Sequence, residues 1–284
     1  MTDAGASVDA LVRGATRRLA AAGVPEPGRE AWRLWADLRG EAPGASLLAR
    51  DRAAAADEAA RFGEAVARRI AGEPLAYVTG IAGFRRLTLA CDRRALIPRP
   101  ETEGLVDLVL ERQGTGIVVD VGTGTGCIAL ALAGEGHYTT VLAVDRSRAA
   151  LSLARENRDA AGARVHLVLG DLTGSLAPAS VHAVVSNPPY LTEAELAALE
   201  PGVRDHEPAL ALASGPDGLE ATRRLVQDAG RVLRPGGWLA LEVDMLRAAA
   251  VAALASRAGL TDVTVHEDLF GRARYVLARR SEAE

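Results

Sequence analysis

Apolar residues follow two rhythms along this chain. Near its start they recur at helical spacing: Val8, Leu11, Val12, Ala15 and Leu19 make one stripe, and Trp32, Trp35 and Leu38 make a second after Pro27. Period 3.6 predicts amphipathic helices there, and proline suits a first helical turn. A third helix is expected over roughly Asp51 to Ala71, where alanine, arginine and glutamate dominate. The two tryptophans are read as core residues. Beyond residue 115 the rhythm changes to short unbroken apolar runs: Ile117–Val119, Val141–Val144, Val165–Leu169 and Val181–Val185. Such runs read as strands buried on both faces, as in parallel sheets flanked by helices. Cys127–Ala133 reads as helix, and the last strands are placed at Asp262–His266 and Arg274–Ala278. Between the regimes, Phe84–Leu89 predicts a short hairpin, and Pro98 and Pro100 stiffen the entry to a helix over Glu101–Arg112. The expected organisation is a helical domain at 1–75, a connector at 76–97, and an α/β domain at 98–284.

Composition narrows the function class. The chain has 284 residues, 49% hydrophobic and 25% charged, close to globular averages. A net charge of −4 lacks the basic signature of a nucleic-acid binder, although a local basic face could coexist with it. Cys91 and Cys127 make neither a disulfide framework nor a metal cluster, and the five histidines show no paired ligand spacing, so no metal is expected. No apolar run reaches transmembrane length, and Met1 to Gly23 lacks a signal-peptide core. A cytoplasmic location and no membrane partner are expected.

The chemistry sits where strands end. After Ile117–Val119 come Gly122, Gly124 and Gly126, then a helix, which is the context of a nucleotide-type loop. Glycine permits the tight turn and close approach of backbone to ligand. The next strand ends in Asp145, about twenty positions on, where a carboxylate can accept both ribose hydroxyls. Asp145 could instead cap the helix beginning near Ser147. A third strand ends in Asp171 and Leu172, which could bracket an adenine ring. The fourth ends in Ser186-Asn187-Pro188-Pro189-Tyr190. There the prolines fix φ and leave their carbonyls free to accept. Asn187 and the Pro188 carbonyl could hold a planar NH2 group, with Tyr190 covering it. Four successive strand ends carrying such groups predict a ligand at the carboxyl edge of a parallel sheet.

These residues resemble a class I S-adenosylmethionine-dependent methyltransferase of the amino-methylating branch. Glu73-Pro74-Leu75-Ala76-Tyr77-Val78-Thr79-Gly80, Phe84, Leu96-Ile97-Pro98-Arg99-Pro100-Glu101-Thr102-Glu103, Val203-Arg204-Asp205-His206-Glu207-Pro208 and Gly218-Leu219-Glu220 are similar to the HemK/PrmC family. The resemblance implies a Rossmann-like, mostly parallel seven-stranded sheet with an antiparallel final strand; the small N-terminal helical domain, amphipathic and outside that core, is expected to dock the protein substrate. It implies methylation of the N5 side-chain amide of the glutamine in the Gly-Gly-Gln motif of class 1 peptide-chain release factors, leaving S-adenosylhomocysteine. Cofactor contacts would come from Asp120, Gly122, Thr123, Gly124, Thr125, Gly126, Asp145, Asp171, Leu172 and Asn187. Acceptor contacts would come from Asn187, Pro188, Pro189 and Tyr190, with Asn187, Pro188 and Tyr190 acting in catalysis. The family's glycine and glutamine after the fifth strand are here Asp244 and Arg247. Alternatives are N6-adenine methylation of DNA or RNA, glutamine methylation of another protein, and a noncatalytic S-adenosylmethionine sensor. Adenine N6 is also a planar amino group, but its enzymes extract the base from its stack and need a basic or added recognition surface.

Overall fold

The apolar stripes at the start of the chain become helices. In the computed structural model, which describes residues 6–282, α1 (Val8–Ala21) buries Val8, Val12, Ala15 and Leu19. The Ser7 side chain caps it by accepting from the Ala10 N–H. α2 (Pro27–Arg39) carries proline in its first turn and stops at Gly40, whose φ is 65°. After α3 (Pro43–Leu48) comes α4 (Ala56–Ile70), shorter at its start than the 51–71 pattern predicts. Glu58 explains the later start, because its carboxylate accepts from the Ala55 N–H at 3.0 Å and fixes the helix entry there. Trp35 is 2% exposed and meets Phe62 edge-on at 5.2 Å between ring centres, so it belongs to the core. Trp32 and Leu38 pack on the same cluster. α5 (Leu75–Thr79) follows. By its contacts the chain separates into a first unit, up to Ile81 together with Glu200–His206, and a second unit comprising Ala82–Leu199 and the chain from Glu207 onward.

The hairpin appears as β1 (Ile81–Phe84) and β2 (Leu87–Ala90), and Phe84 is 1% exposed in the core. α6 (Thr102–Gln113) then leads into the main sheet. Its strands are β3 (Thr115–Val121), β4 (His137–Asp145), β5 (Val165–Leu169), β6 (Val181–Ser186), β7 (Leu233–Glu242), β8 (Thr261–Glu267) and β9 (Ala273–Arg279). Their spatial order is β5-β4-β3-β6-β7-β9-β8. The pairs β3–β4, β4–β5, β3–β6 and β6–β7 are parallel, while β9 runs antiparallel between β7 and β8.

Period-2 alternation divides the strand side chains between two cores. Val118 and Leu277 join Phe84, Leu105 and Ile128 in one cluster. Their neighbours Val119 and Val276 join Leu225, Leu241 and Val251 in the other. The helices supplying these faces include α6, α7 (Cys127–Glu135), α11 (Glu220–Val232) and α12 (Ala248–Arg257), while α8 (Arg148–Ala161) packs Ala150 and Leu153 with Ala95 in a separate small cluster. Short helices α9 (Glu193–Ala198) and α10 (Pro201–Arg204) follow β6. This winding reverses direction between β3 and β6, and such a switch point opens a crevice at the carboxyl ends of the strands.

Candidate active site

The glycine turn is held from below. The Gly122 and Thr123 N–H groups donate to the Val144 carbonyl at 2.8 and 3.1 Å, which ties the turn to β4. Gly122, Gly124 and Gly126 have φ of 73°, 55° and 86°, a region that costs an L side chain dearly. Asp120 is fully buried under the turn. Its Oδ2 accepts from the Thr123 hydroxyl at 2.6 Å and from the Ala129 N–H at 3.2 Å, and its Oδ1 has no partner. Burial pushes this carboxyl up to about 7 against the pull of those two donors. The Thr125 carbonyl accepts from buried Asn157, which also exchanges hydrogen bonds with both backbone groups of Ala90. One carboxamide thereby ties α8 to the turn and to β2.

Asp145 uses each oxygen once. Oδ2 accepts from the Gly124 N–H at 2.9 Å and Oδ1 from the Ser147 N–H at 2.8 Å. The N-cap of α8 is Ser147, which accepts from the Ala150 N–H, so Asp145 is not the capping residue. Each Asp145 oxygen retains acceptor capacity. Asp171 forms an ion pair with Arg224 on α11 at 2.6 Å. Leu172 takes φ 52°, a strained conformation for a branched side chain.

These groups face one cavity of about 230 Å³, whose lining includes Gly122, Gly124, Asp145, Asp171, Leu172 and Asn187. Pro189 lines it too, whereas Asp120, Thr123, Thr125, Gly126, Pro188 and Tyr190 lie outside that lining. Gly126 has a packing reason instead: a Cβ there would stand 3.4 Å from Ala154 and Leu130. Sequence reasoning missed Leu96, Ser214 and Arg224, which also line the cavity. Arg224 carries no local signal, since its contact with Asp171 spans 53 positions.

The Asn187 loop is anchored on both sides. The Ser186 hydroxyl donates to the Val121 carbonyl at 2.6 Å. The Asn187 Nδ2 donates to the Thr102 Oγ1 at 3.1 Å, and Thr102 donates to the Glu242 Oε2 at 2.7 Å. Burial raises the Glu242 carboxyl to about 7. Tyr190 is held through its N–H to the Leu212 carbonyl, and burial pushes its phenol up to about 12, so it stays neutral. Gly218 backs this turn, and a Cβ there would strike the Tyr190 carbonyl oxygen. Two strings that carry no chemistry alone meet here: Arg99 pairs with buried Glu207 at 2.6 Å, and the Ile97 N–H reaches the same carboxylate at 3.3 Å. That clamp fixes the segment carrying Pro208 and Leu210, which also line the cavity.

The glycine turn offers backbone without side chains, two carboxylates offer acceptors, and Leu96, Leu172 and Pro189 offer apolar contact. This donor set fits a ligand with paired hydroxyls and an aromatic base, and it could hold S-adenosylmethionine. Asn187 would then face the acceptor.

Comparison with known proteins gives a consistent result. Residues 10–80 match the PrmC N-terminal domain, and residues 102–200 match the Methyltransferase small domain. The chain is 43% identical over 274 residues to a release factor glutamine methyltransferase of Deinococcus radiodurans, covering 95% of this chain and 98% of that protein. It is 44% identical over 279 residues to the protein of the same name from Moorella thermoacetica, covering 94% and 96%. Among solved structures, a methyltransferase from Pyrococcus furiosus aligns with TM-score 0.54 at 18% identity, covering 78% of this chain and all of that one. A T. thermophilus 16S rRNA N2 G1207 methyltransferase, solved with AdoMet and guanosine, aligns with TM-score 0.50 at 20% identity, covering 70% and 49%. These structural likenesses show the class I methyltransferase fold.

Proposed function

The chain belongs to the release factor glutamine methyltransferase family, and we infer from this membership that it is an S-adenosylmethionine-dependent enzyme that methylates a glutamine side-chain amide in peptide-chain release factors. We assign the acceptor as the N5 nitrogen of the glutamine in a Gly-Gly-Gln motif. The observation that carries the site assignment is Asn187. Its amide nitrogen is engaged by Thr102, and among the described residues no donor reaches its Oδ1.

When bound, S-adenosylmethionine supplies an electrophilic methyl group. Gly122, Gly124, Asp145, Asp171 and Leu172 would hold it, with Asp120 and Thr123 keeping the turn in shape. The acceptor amide is a poor nucleophile because its lone pair is delocalised into the carbonyl. The chain's contribution is therefore alignment and electrostatics rather than proton removal beforehand. Holding the reactants in line can supply about 7–11 kcal/mol of the barrier. Asn187 Oδ1 and the Pro188 carbonyl would accept from the acceptor NH2 and stabilise the positive charge developing on nitrogen. Tyr190, neutral at physiological pH, would cover the planar group.

The deciding experiment supplies labelled methyl donor with an intact release factor in one arm and duplex DNA in the other, followed by mass mapping. Label on the Gly-Gly-Gln glutamine supports this assignment. Label on DNA, or on another residue, overturns it. Among the described residues no helix is long and apolar enough to cross a membrane.

A further inference from the structure

Asn187 can help the acceptor only if its oxygen, not its NH2, faces the substrate nitrogen. An NH2 turned toward another NH2 offers a donor to a donor. The two ends of a carboxamide have nearly the same shape, so packing alone discriminates weakly between them. A hydrogen-bond chain discriminates strongly, and one reaches Asn187.

That chain begins at Glu242, the last residue of β7, which is 2% exposed. As a carboxylate it can only accept. The one hydroxyl hydrogen of Thr102, which is also 2% exposed, goes to its Oε2 at 2.7 Å. Toward Asn187, 3.1 Å away, Thr102 Oγ1 then has only lone pairs to offer. The group presented to it must be the Asn187 NH2, and Oδ1 is turned away from Thr102.

We propose that Thr102 and Glu242 are positioning residues that set the Asn187 carboxamide with its oxygen toward the acceptor amide. This rests on the assignment of Asn187 to the acceptor. Neither residue needs to touch substrate or cofactor; each acts through the next.

The chain has a polarity that a proton can reverse. A protonated Glu242 becomes a donor and releases the Thr102 hydroxyl hydrogen. That hydrogen can then point at Asn187 and favour its oxygen, turning the NH2 outward. Burial raises the Glu242 carboxyl to about 7, so this happens within an accessible range. The charged groups around Glu242 are Arg274 on β9, and Glu101 and Arg99 ahead of α6; the two arginines favour ionisation and Glu101 opposes it. Tyr190, Tyr275 and Cys127 also feel its charge, and burial raises all three to about 12, so they stay neutral throughout. Asp120, also raised to about 7, lies under the cofactor turn and could titrate in the same range. Only a change at position 242 separates the two.

The test measures single-turnover methylation of an intact release factor across about pH 5.5–9, with cofactor affinity measured in parallel. Thr102→Val keeps shape and removes the hydroxyl; Thr102→Ser restores it. Outer groups that orient a reacting side chain contribute about 10–100-fold in metal sites, and a loss on that scale is expected for Thr102→Val. Cofactor affinity should stay within a small factor, and Thr102→Ser should recover most of the rate. The parent rate should rise with pH through an inflection near 7, and Glu242→Gln, which keeps an acceptor oxygen but cannot titrate there, should lose that inflection. A parental rate in Thr102→Val, or an identical profile in Glu242→Gln, overturns the relay while leaving the assigned reaction standing. A parent enzyme that does not methylate glutamine overturns both.

Discussion

A carboxamide at position 187 suits this reaction better than any ionisable side chain. A lysine would repel a sulfonium and a carboxylate would attract it in the ground state, whereas an amide oxygen answers charge mainly as it develops on the acceptor. Asn187→Ala should lower the methyl-transfer rate on the order of 10²–10³, the usual consequence of deleting one preorganised polar contact. Cofactor affinity should change little. Single-turnover rates beside calorimetric titration check this, and a parental rate would remove Asn187 from the acceptor site. Asn187, Asp145 and the glycine turn were legible in the sequence because each sits at the end of an apolar run, and a strand end has a known place in a parallel sheet. Thr102 and Glu242 were not, because their bonds span 85 and 140 positions. Asp145 was half legible: its place at the cavity was readable, while the choice between capping and ligand duty depended on which oxygen Ser147 and Gly124 would take.

At the scale of elements, the departure at Asp244 and Arg247 has a structural answer. Arg247 reaches back from the turn after β7 to the Glu195 carboxylate on α9 at 2.6 Å and to the Asp217 carbonyl at 3.1 Å, with Asp244 at 3.5 Å. The same Glu195 oxygen accepts from the Thr192 N–H and closes the capping box of α9. One arginine thus staples the segment after Tyr190 to β7, a job that a glutamine could do only without charge. Its side chain is 12% exposed but that of Glu195 is 39% exposed, so water partly screens the ion pair. Arg247→Met should cost about 1 kcal/mol, the scale of a partly exposed ion pair with one hydrogen bond to a backbone carbonyl. The melting temperature should then fall by about 2–4 °C for each kcal/mol at this size. An unchanged melting curve would make the staple ornamental. Element identity was largely readable from period, but order was not: β9 enters between β7 and β8. The apolar run Arg274–Ala278 names a buried strand without naming its neighbours.

At the scale of the whole molecule, two consequences remain. The first is pH dependence. Asp120 holds its proton to about 7 in the fold, against an ordinary value near 4 when unfolded. The folded state therefore binds more protons between those values. This group's stability contribution is complete below about pH 4 and is lost as pH rises through about 7. Asp120→Asn cannot titrate, so its melting temperature relative to the parent should become more favourable from about pH 4.5 to about pH 8. A constant difference across that range would show that Asp120 does not titrate in the fold. Glu242 acts in the same direction and remains in both proteins, so it cancels in the comparison.

The second consequence concerns the N-terminal unit, which we propose helps to hold the protein acceptor. Its core is its own: Val12, Leu19, Leu34, Trp35, Phe62 and Val66 form one cluster. The cavity lining, by contrast, comes entirely from residues of the second unit. A site that is complete without the first unit leaves that unit available for recognising something larger than one side chain. Removal of residues 1–72 should leave cofactor affinity nearly unchanged. Turnover of an intact release factor should fall, while turnover of a short peptide carrying Gly-Gly-Gln, which offers no distant surface to dock, should change much less. The comparison of the two acceptors is the informative quantity. Uniform loss of stability would depress both alike, whereas lost docking depresses only the larger one and raises its KM more than it lowers kcat, since interactions made equally in ground and transition states act on binding. Equal loss for factor and peptide would assign the unit to stability alone.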